Sequence, residues 1–163
     1  MTTPPQVPMA DVGEMYLVHT MLRREFGLLP DLIRGAGRND AKHRALIGAH
    51  AQLVLQILHT HHESEDLVLW PLLLERAEAE ATEIVAVMEE QHHAIAAAHD
   101  EAVRRLSGWC RFGRDGEGFA TVLDDLARVL TAHTALEEKA APPLTEKYVT
   151  VAEWVQMPIW RMQ

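Results

Sequence analysis

Two stretches of the sequence, HHESEDLVLWPL at residues 61–72 and HTALEEKAAPPL at residues 133–144, repeat one pattern. Each begins with a histidine, carries two consecutive acids after three further residues, and ends with a Pro-Leu pair after four more. The two stretches are separated by 72 residues, and His19 and His92, which precede them, are separated by 73. We therefore expect two related helical hairpins, each with one lone histidine and one His-x-x-x-Glu pair.

The His-x-x-x-Glu spacing places the two side chains of each pair on one face of a helix, one turn apart. The pairs are His61 with Glu65 and His133 with Glu137. Neighbouring helices in a bundle lie ~8–10 Å apart, so side chains from facing helices can close around ions between them. A single such pair is commonly a solvated surface pair. Its repetition in register favours a metal site, because bound cations offset the cost of burying carboxylates.

Outside the repeat, apolar residues recur at helical spacing in four segments, and no alternating strand pattern is present. Glycines and prolines mark the expected helix ends. Pro30 should kink or end the first helix, and Pro71 should disturb the hydrogen bonds of the second. The third helix should end at Gly108, since residues 108–118 hold four glycines and form the clearest loop. The fourth helix should stop before Pro142.

This pattern predicts an all-α protein, an up-down-up-down four-helix bundle over residues 11–144. Residues 1–10 include three prolines without periodicity, so we expect a disordered arm there. Residues 145–163, with Trp154 and Trp160, are expected to form a short helical extension that packs on the bundle.

Composition and charge make several classes of function unfavourable. The 163 residues fit one domain, and a net charge of −9 disfavours nucleic acids and anionic membrane surfaces as partners. The longest apolar runs, such as residues 67–74, are far shorter than the ~20 residues of a membrane span. A lone cysteine, Cys110, and the lack of a secretory signal pattern predict a cytoplasmic protein.

Four motifs, each built on one of the ten histidines, follow one another along the expected helices. They are His19-x-x-Leu22-Arg23, His61-x-x-x-Glu65-Asp66 with Trp70-Pro71, Glu90-x-His92-x-x-Ile95, and His133-x-x-x-Glu137-Glu138. As an ordered set they resemble the bacterial hemerythrin-like proteins, also called HHE cation-binding domains. The resemblance covers about residues 11–144 and implies a non-haem di-iron centre inside a four-helix bundle.

The resemblance also implies how two iron ions would be held. His19 and His61 would serve one iron, His92 and His133 the other, and Glu65 and Glu137 would bridge both. An oxo or hydroxo group would complete the bridge. Imidazole and carboxylate ligands without thiolate also suit manganese and zinc, so the choice of iron rests on the resemblance.

The chain departs from the oxygen-carrying hemerythrins in two ways. Those proteins have His-x-x-x-His on the third helix, whereas here the position four after His92 is Ala96. They also place the last carboxylate at the position of Glu138, while the internal repeat favours Glu137. His62 is the first candidate to replace the missing ligand, because it lies only ~100° around the helix from His61. Weaker candidates are Glu89, His93 and His99.

Three functions remain open at this stage. The first is a di-iron enzyme of peroxidase or oxidase type that reacts with oxygen, peroxide or nitric oxide. The second is a module that carries oxygen, or senses oxygen or iron, and meets a partner, either a redox protein or a second copy in a homodimer. The tail with Trp154 and Trp160 is the candidate surface for such a partner. The third is a metal-free helical scaffold.

Overall fold

The computed structural model describes residues 7–161, with side chains described for residues 7–159. Over this part of the chain the expected all-α four-helix bundle is confirmed. Its helices are α1 (Gly13–Gly35), α2 (Ala41–Ser64), α3 (Trp70–Phe112), α4 (Gly116–Tyr148) and the short α5 (Val151–Trp154). A π-helical turn (Glu65–Leu69) joins α2 to α3, and a 3-10 turn (Pro158–Arg161) follows α5. No helix in the described range is both long and apolar enough to span a bilayer.

The longest helix, α3, contains the chain reversal between the second and third helices of the bundle. Ala77 has φ −140° and ψ 36°, which lie outside the helical region. The part before Ala77 continues α2, and the part after it runs back beside α2, so that the rings of His62 and His92 stack with centroids 4.0 Å apart. We call α1 with α2 the first hairpin, and the later part of α3 with α4 the second hairpin.

The π-helical turn lies where Pro71 was expected to disturb the helix, and this expectation is confirmed. Proline has no N–H, and its ring conflicts with the carbonyl four residues earlier, so the regular α-helical hydrogen bonding is interrupted there. The wider π spacing adds a residue to the turn. As a result Glu65, Leu69 and Trp70 all face the interior, with exposures of 1%, 1% and 0%.

Two helices continue past prolines, Pro30, which was expected to kink or end α1, and Pro142, before which α4 was expected to stop. The helix α1 continues through Pro30, and α4 continues through Pro142 and Pro143, so the expected stop before Pro142 is wrong. Packing compensates for the lost hydrogen bonds, because Pro30 and Pro142 are both buried. Pro142 has no N–H to donate to the carbonyl of Glu138, four residues earlier. That carbonyl instead accepts from the Tyr16 hydroxyl at 3.4 Å.

The connection between α3 and α4 is shorter than the loop expected over residues 108–118. Only residues 113–115 are non-helical, and Trp109 explains why α3 continues. Its side chain is buried and packs on Phe119, with ring centroids 5.7 Å apart. Gly113 then ends the helix at φ 62°, a conformation that residues with a side chain rarely adopt, and donates to the Trp109 carbonyl at 2.9 Å.

Two apolar clusters fill the bundle, and a polar layer separates them. One cluster includes Phe26, and the other includes Trp70. On α1, His19 lies between Met15, which belongs to the second cluster, and Leu22, which belongs to the first. The other three long helical segments have the same order of apolar, polar and apolar residues. The fold therefore places buried histidines and acids at one level across the bundle.

The segment after α4 folds back onto the bundle. Trp154 is buried, and its indole N–H donates to Glu14 on α1 at 3.2 Å. The backbone N–H of Ile159 donates to the hydroxyl of the buried Ser64 at 2.9 Å, at the C-terminal end of α2. The tail is thus anchored directly beside the polar layer. The side chain of Trp160 lies outside the described part of the chain.

The expected arm over residues 1–10 is described only from residue 7 onward, and residues 1–6 lie outside the described range. Ala10 is buried at 5% exposure, and its N–H donates to the Val149 carbonyl at 2.8 Å. An isolated antiparallel bridge joins the neighbouring residues Met9 and Thr150. These bonds connect the segment before α1 to the segment after α4.

Candidate metal centre

The polar layer contains all seven side chains that the sequence singles out as metal ligands. Each is between 0% and 7% exposed, although none is apolar. The helical spacing of each from its apolar neighbours directs it to the interior. They are His19 on α1, His61 and His62 on α2, Glu65 on the π turn, His92 on α3, and His133 and Glu137 on α4.

Donor group A consists of His19, His61, Glu65 and Glu137, whose ligand atoms all lie within 4.8 Å of one another. The Nε2 atoms of His19 and His61 are 2.9 Å apart. His61 Nε2 lies 3.2 Å from an oxygen of Glu65, and His19 Nε2 lies 3.3 Å from an oxygen of Glu137. Two imidazoles and two carboxylates that converge in this way are a donor set suited to a transition-metal ion.

Donor group B consists of His62, Glu65, His92 and His133, and its ligand atoms also lie within 4.8 Å of one another. The Nε2 atoms of His92 and His133 are 3.1 Å apart. His92 Nε2 lies 3.4 Å from Oε2 of Glu65, and His133 Nε2 lies 3.4 Å from Oε2 of Glu137. The structure therefore sets two donor groups side by side in one buried layer.

Two carboxylates connect the groups. Glu65 directs Oε1 to His61 in group A and Oε2 to His92 in group B, while Oε2 of Glu137 faces a histidine of each group. Oε2 of Glu65 and both oxygens of Glu137 are buried without a hydrogen-bond partner. Buried carboxylate oxygens are costly when nothing compensates them. Carboxylates that bridge two metal ions in a helical bundle have that compensation.

Hydrogen bonds fix the outer nitrogen of three histidines. The Nδ1 atoms lie 3.1 Å from the Glu138 carboxylate for His19, 2.7 Å from Asp66 for His92, and 2.8 Å from the amide oxygen of Gln91 for His133. Since carboxylate and amide oxygens only accept, each Nδ1 carries a hydrogen, and the neutral form of each ring presents an unprotonated Nε2 to the interior. Metal-binding histidines are usually held in this way.

The contact between His92 and His133 is unfavourable without a cation. Burial lowers the pKa of His133 to about 4 despite the neighbouring Glu137 carboxylate, so its ring is neutral at pH 7. When both rings are neutral and both Nδ1 atoms donate, the two Nε2 atoms that face each other at 3.1 Å are both acceptors. Two opposed lone pairs repel, whereas a cation that both nitrogens bind makes the same geometry favourable. The residues present therefore fit a bound metal ion.

Burial sets the charge state of the other donors. It lowers the pKa of His61 to about 3 and that of His62 well below its usual range. Burial, together with repulsion from Glu137, raises the pKa of Glu65. Burial acts on Glu137 in the same direction, but the neighbouring imidazoles, His19 foremost, lower its pKa to about 2. His61, His62 and His133 are thus in the metal-binding form at neutral pH, and the raised pKa of Glu65 means that a metal ion competes with a proton there.

Of the side chains considered as replacements for the missing third-helix ligand, His62 alone belongs to a donor group. Its Nε2 is buried and has no hydrogen-bond partner. Glu89 and His93 are exposed, and His99 is half-buried with its Nε2 3.1 Å from the Leu55 carbonyl. The rotation of His62 around α2 therefore brings it into group B.

The two acids considered for the last carboxylate occupy different positions. Glu137 has an exposure of 0% and belongs to donor group A. Glu138 lies outside the layer, where it accepts from His19 Nδ1 and from the guanidinium of Arg23 at 2.7 Å. The internal repeat, which favours Glu137, and the structure agree on which acid faces the interior.

Sequence reasoning missed the role of the second acid in each repeat. Asp66 binds His92, and Glu138 binds His19, so each second acid holds the lone histidine of the opposite hairpin. The doubled acids of the repeat were a signal for these contacts. Nothing in the pattern pointed to Gln91 as the partner of His133.

Comparison with known families gives one finding. The family model of the hemerythrin HHE cation binding domain matches residues 11–144, a range that contains both donor groups. Comparisons with curated proteins and with solved structures gave no match. Because the family match spans most of the chain, the chain belongs to the hemerythrin HHE cation binding domain family.

Proposed function

We propose that the chain binds two metal ions, one in each donor group, and that this pair binds or reacts with a small oxidant: oxygen, peroxide or nitric oxide. One observation carries the proposal. The Nε2 atoms of His92 and His133 face each other across 3.1 Å, beside carboxylate oxygens of Glu65 and Glu137 that have no hydrogen-bond partner. A pair of cations satisfies all of these groups together.

Iron is the proposed metal. Donor groups A and B offer imidazole and carboxylate but no thiolate, a set that suits iron, manganese or zinc. Carboxylates shared between two ions inside a helical bundle are typical of di-iron and di-manganese proteins. The family membership favours iron, with an oxo or hydroxo group that completes the bridge.

Reaction with an oxidant is favoured over storage because group A has two histidines where group B has three, which would leave a metal in group A with an open position. Ala96 provides no ligand, and His62 replaces it from another helix. Bound iron would supply the electrons for reducing the oxidant. The protein contributes the fixed imidazoles and bridging acids, and the apolar clusters on both sides of the layer exclude water.

A sensor or carrier without turnover is the second candidate, and one contact favours it. The tail binds Ser64 through the Ile159 N–H, and Ser64 directly precedes the shared acid Glu65. A change in the metal pair that moves Glu65 would therefore be transmitted to the tail and to a redox partner or second copy bound there. We place either function in the cytoplasm, on the basis of the lone Cys110.

Elemental analysis of the aerobically purified protein tests the proposal. We expect about two irons per chain, as a carboxylate-bridged pair requires, near-ultraviolet bands of an oxo-bridged pair, and a lower melting temperature after chelation. The variant His133→Ala should lose metal and melt at a lower temperature, because metal binding is coupled to folding. The exposed His93→Ala is the matched control and should keep its metal.

Three outcomes separate the functions. Turnover of peroxide or nitric oxide by the iron-loaded protein supports an enzyme, and reversible binding without turnover supports a carrier or sensor. A protein without metal, whose melting temperature does not change on addition of iron or a chelator, would contradict the proposal and leave a metal-free scaffold.

A further inference from the structure

A cavity of about 250 Å³ lies at the end of the bundle where the connection from α1 to α2 meets the connection from α3 to α4. Residues of both connections and of the adjoining helix ends line it. Ile33, which lines the cavity, and His19 lie on the same helix, and a rise of about 1.5 Å per residue separates them by about 20 Å. The cavity is therefore separate from the candidate metal centre.

The lining of this cavity is positively charged, although the chain has a net charge of −9. Three arginines line it, Arg34, Arg38 and Arg44, together with one acid, Glu117. Arg34 is paired with Glu117 at 2.9 Å and with Asp124 at 2.7 Å. Within the described part of the chain, Arg38 and Arg44 have no acidic partner. Two guanidinium charges at the cavity are thus uncompensated.

The buried guanidinium of Arg44 has donors that no group in the protein satisfies. Arg44 is 4% exposed, and its Nη1 donates to the carbonyl of Arg38 and, at 3.2 Å, to that of Gly37. Its Nε is buried without a hydrogen-bond partner, and its Nη2 makes no hydrogen bond to any described residue. These two nitrogens form an edge that can donate to two oxygens of one anion. Because a buried donor without a partner is costly, this edge favours a bound ligand.

The N-terminus of α4 adds backbone donors to the same cavity. The first N–H groups of a helix have no acceptor within the helix, and this end carries a partial positive charge. Gly116, the first residue of α4, lines the cavity. The N-cap residue Asp115 makes no capping hydrogen bond, and its carboxylate is bound by Arg105 instead. Gly116 also leaves room beside Trp109, whose Nε1 lies 3.2 Å from the position of an added Cβ.

We propose that this cavity binds a phosphate group, either free inorganic phosphate or the phosphate of a small organic monoester. Arg44 donates to two of its oxygens, Arg38 supplies a second positive charge, and the N-terminus of α4 supplies backbone N–H groups. Two uncompensated charges favour a dianion over a singly charged carboxylate. The volume is below the 300–1,000 Å³ or so that is typical of pockets for larger organic ligands, so the organic part is small. This site does not depend on the proposed metal pair.

Calorimetric titration of the full chain with inorganic phosphate, at an ionic strength kept constant with chloride, tests the site. Arg38→Gln removes one uncompensated charge from an exposed position, and Arg44→Lys keeps the charge but removes the edge with two donors. Each variant should weaken phosphate binding about tenfold or more. Arg111→Gln is the matched control, because Arg111 is exposed near the end of α3 and does not line the cavity. It should change the affinity by less than about twofold.

Glycerol phosphate, titrated in parallel, identifies the source of the phosphate group. Tighter binding of this monoester supports an organic phosphate as the ligand, and tighter binding of inorganic phosphate supports the free anion. Melting temperatures show whether each variant is folded, and Arg38→Gln keeps the test decisive if Arg44→Lys is not. Equal phosphate affinity in the parent and in Arg38→Gln would overturn the site, since phosphate bound at the metal centre would give that result. A parent protein that binds neither compound would also overturn it, whatever its metal content.

Discussion

At the scale of residues, each hairpin provides the centre with an acid that orients a histidine of the other hairpin. The first acid of each pair, Glu65 or Glu137, faces the interior as a metal donor. The second acid, Asp66 or Glu138, holds the lone histidine of the opposite hairpin. These outer hydrogen bonds fix which nitrogen carries the proton, and therefore which nitrogen is available to a metal.

Removal of an acid that binds the Nδ1 atom of a histidine tests these contacts. We expect Asp66→Ala to weaken metal binding about 10- to 100-fold, because His92 loses the acceptor that orients it. Asp66→Asn should recover part of the affinity, since an amide oxygen also accepts and Gln91 already plays that role for His133. Titration of the metal-free protein against a competing chelator measures the affinity. Equal affinity in Asp66→Ala and in the exposed control Glu89→Gln would contradict the assigned role.

At the scale of helices, α2 and α3 are in close contact at Gly48. A Cβ added to Gly48 would overlap Sγ of Cys110, so the absence of a side chain permits this contact. Gly27, in α1, has no neighbour within 4 Å of an added Cβ. The two helical glycines therefore have the same backbone cost and different surroundings.

Alanine substitutions at these two glycines should change the free energy of unfolding in opposite directions. Gly27→Ala should stabilise the protein by up to about 1 kcal/mol through helix propensity. Gly48→Ala should destabilise it by about 1 kcal/mol, because overpacking outweighs that gain. In a Cys110→Ala background the overlap is removed, and Gly48→Ala should become stabilising. Urea unfolding at equal metal loading measures each change. A stabilising Gly48→Ala in the parent background would show that the contact relaxes freely.

At the scale of the whole molecule, a polar layer lies between two apolar clusters, and it imposes a pH dependence on the metal-free fold. His61, His62 and His133 have lowered pKa values because they are buried. The unfolded chain therefore binds more protons than the folded chain once the pH falls below their ordinary value of 6.5. Glu65 acts in the opposite direction, because its pKa is raised.

The metal-free protein should lose stability as the pH falls from 7 to 5, because three histidines outweigh one acid in this range. The contribution of the histidines is complete above pH 6.5 and is lost progressively toward the lowered values of about 3 for His61 and about 4 for His133. Urea midpoints of the chelated protein at several pH values measure the effect. The exposed His93→Gln should leave the profile unchanged, and a flat profile in the parent protein would contradict the assigned charge states.

The sequence predicted the bundle and the inward positions of the donors because helical period and the internal repeat are local properties. It did not predict the ends of α3 and α4. Trp109 and Pro142 are buried by contacts with distant parts of the chain, and those contacts outweigh the local glycine and proline signals. Gln91 was missed for the same reason, because only the packed structure brings it to His133.

Because each hairpin provides an outer acid to the other, the centre can form only when both hairpins are in place. Each hairpin carries one lone histidine that an acid of the other hairpin orients. Its own second acid in turn orients the lone histidine of the other hairpin. Neither half is chemically complete alone, because each donor group draws side chains from both hairpins. The hairpins must therefore dock before either group can hold an ion, so that docking and ion capture become a single event.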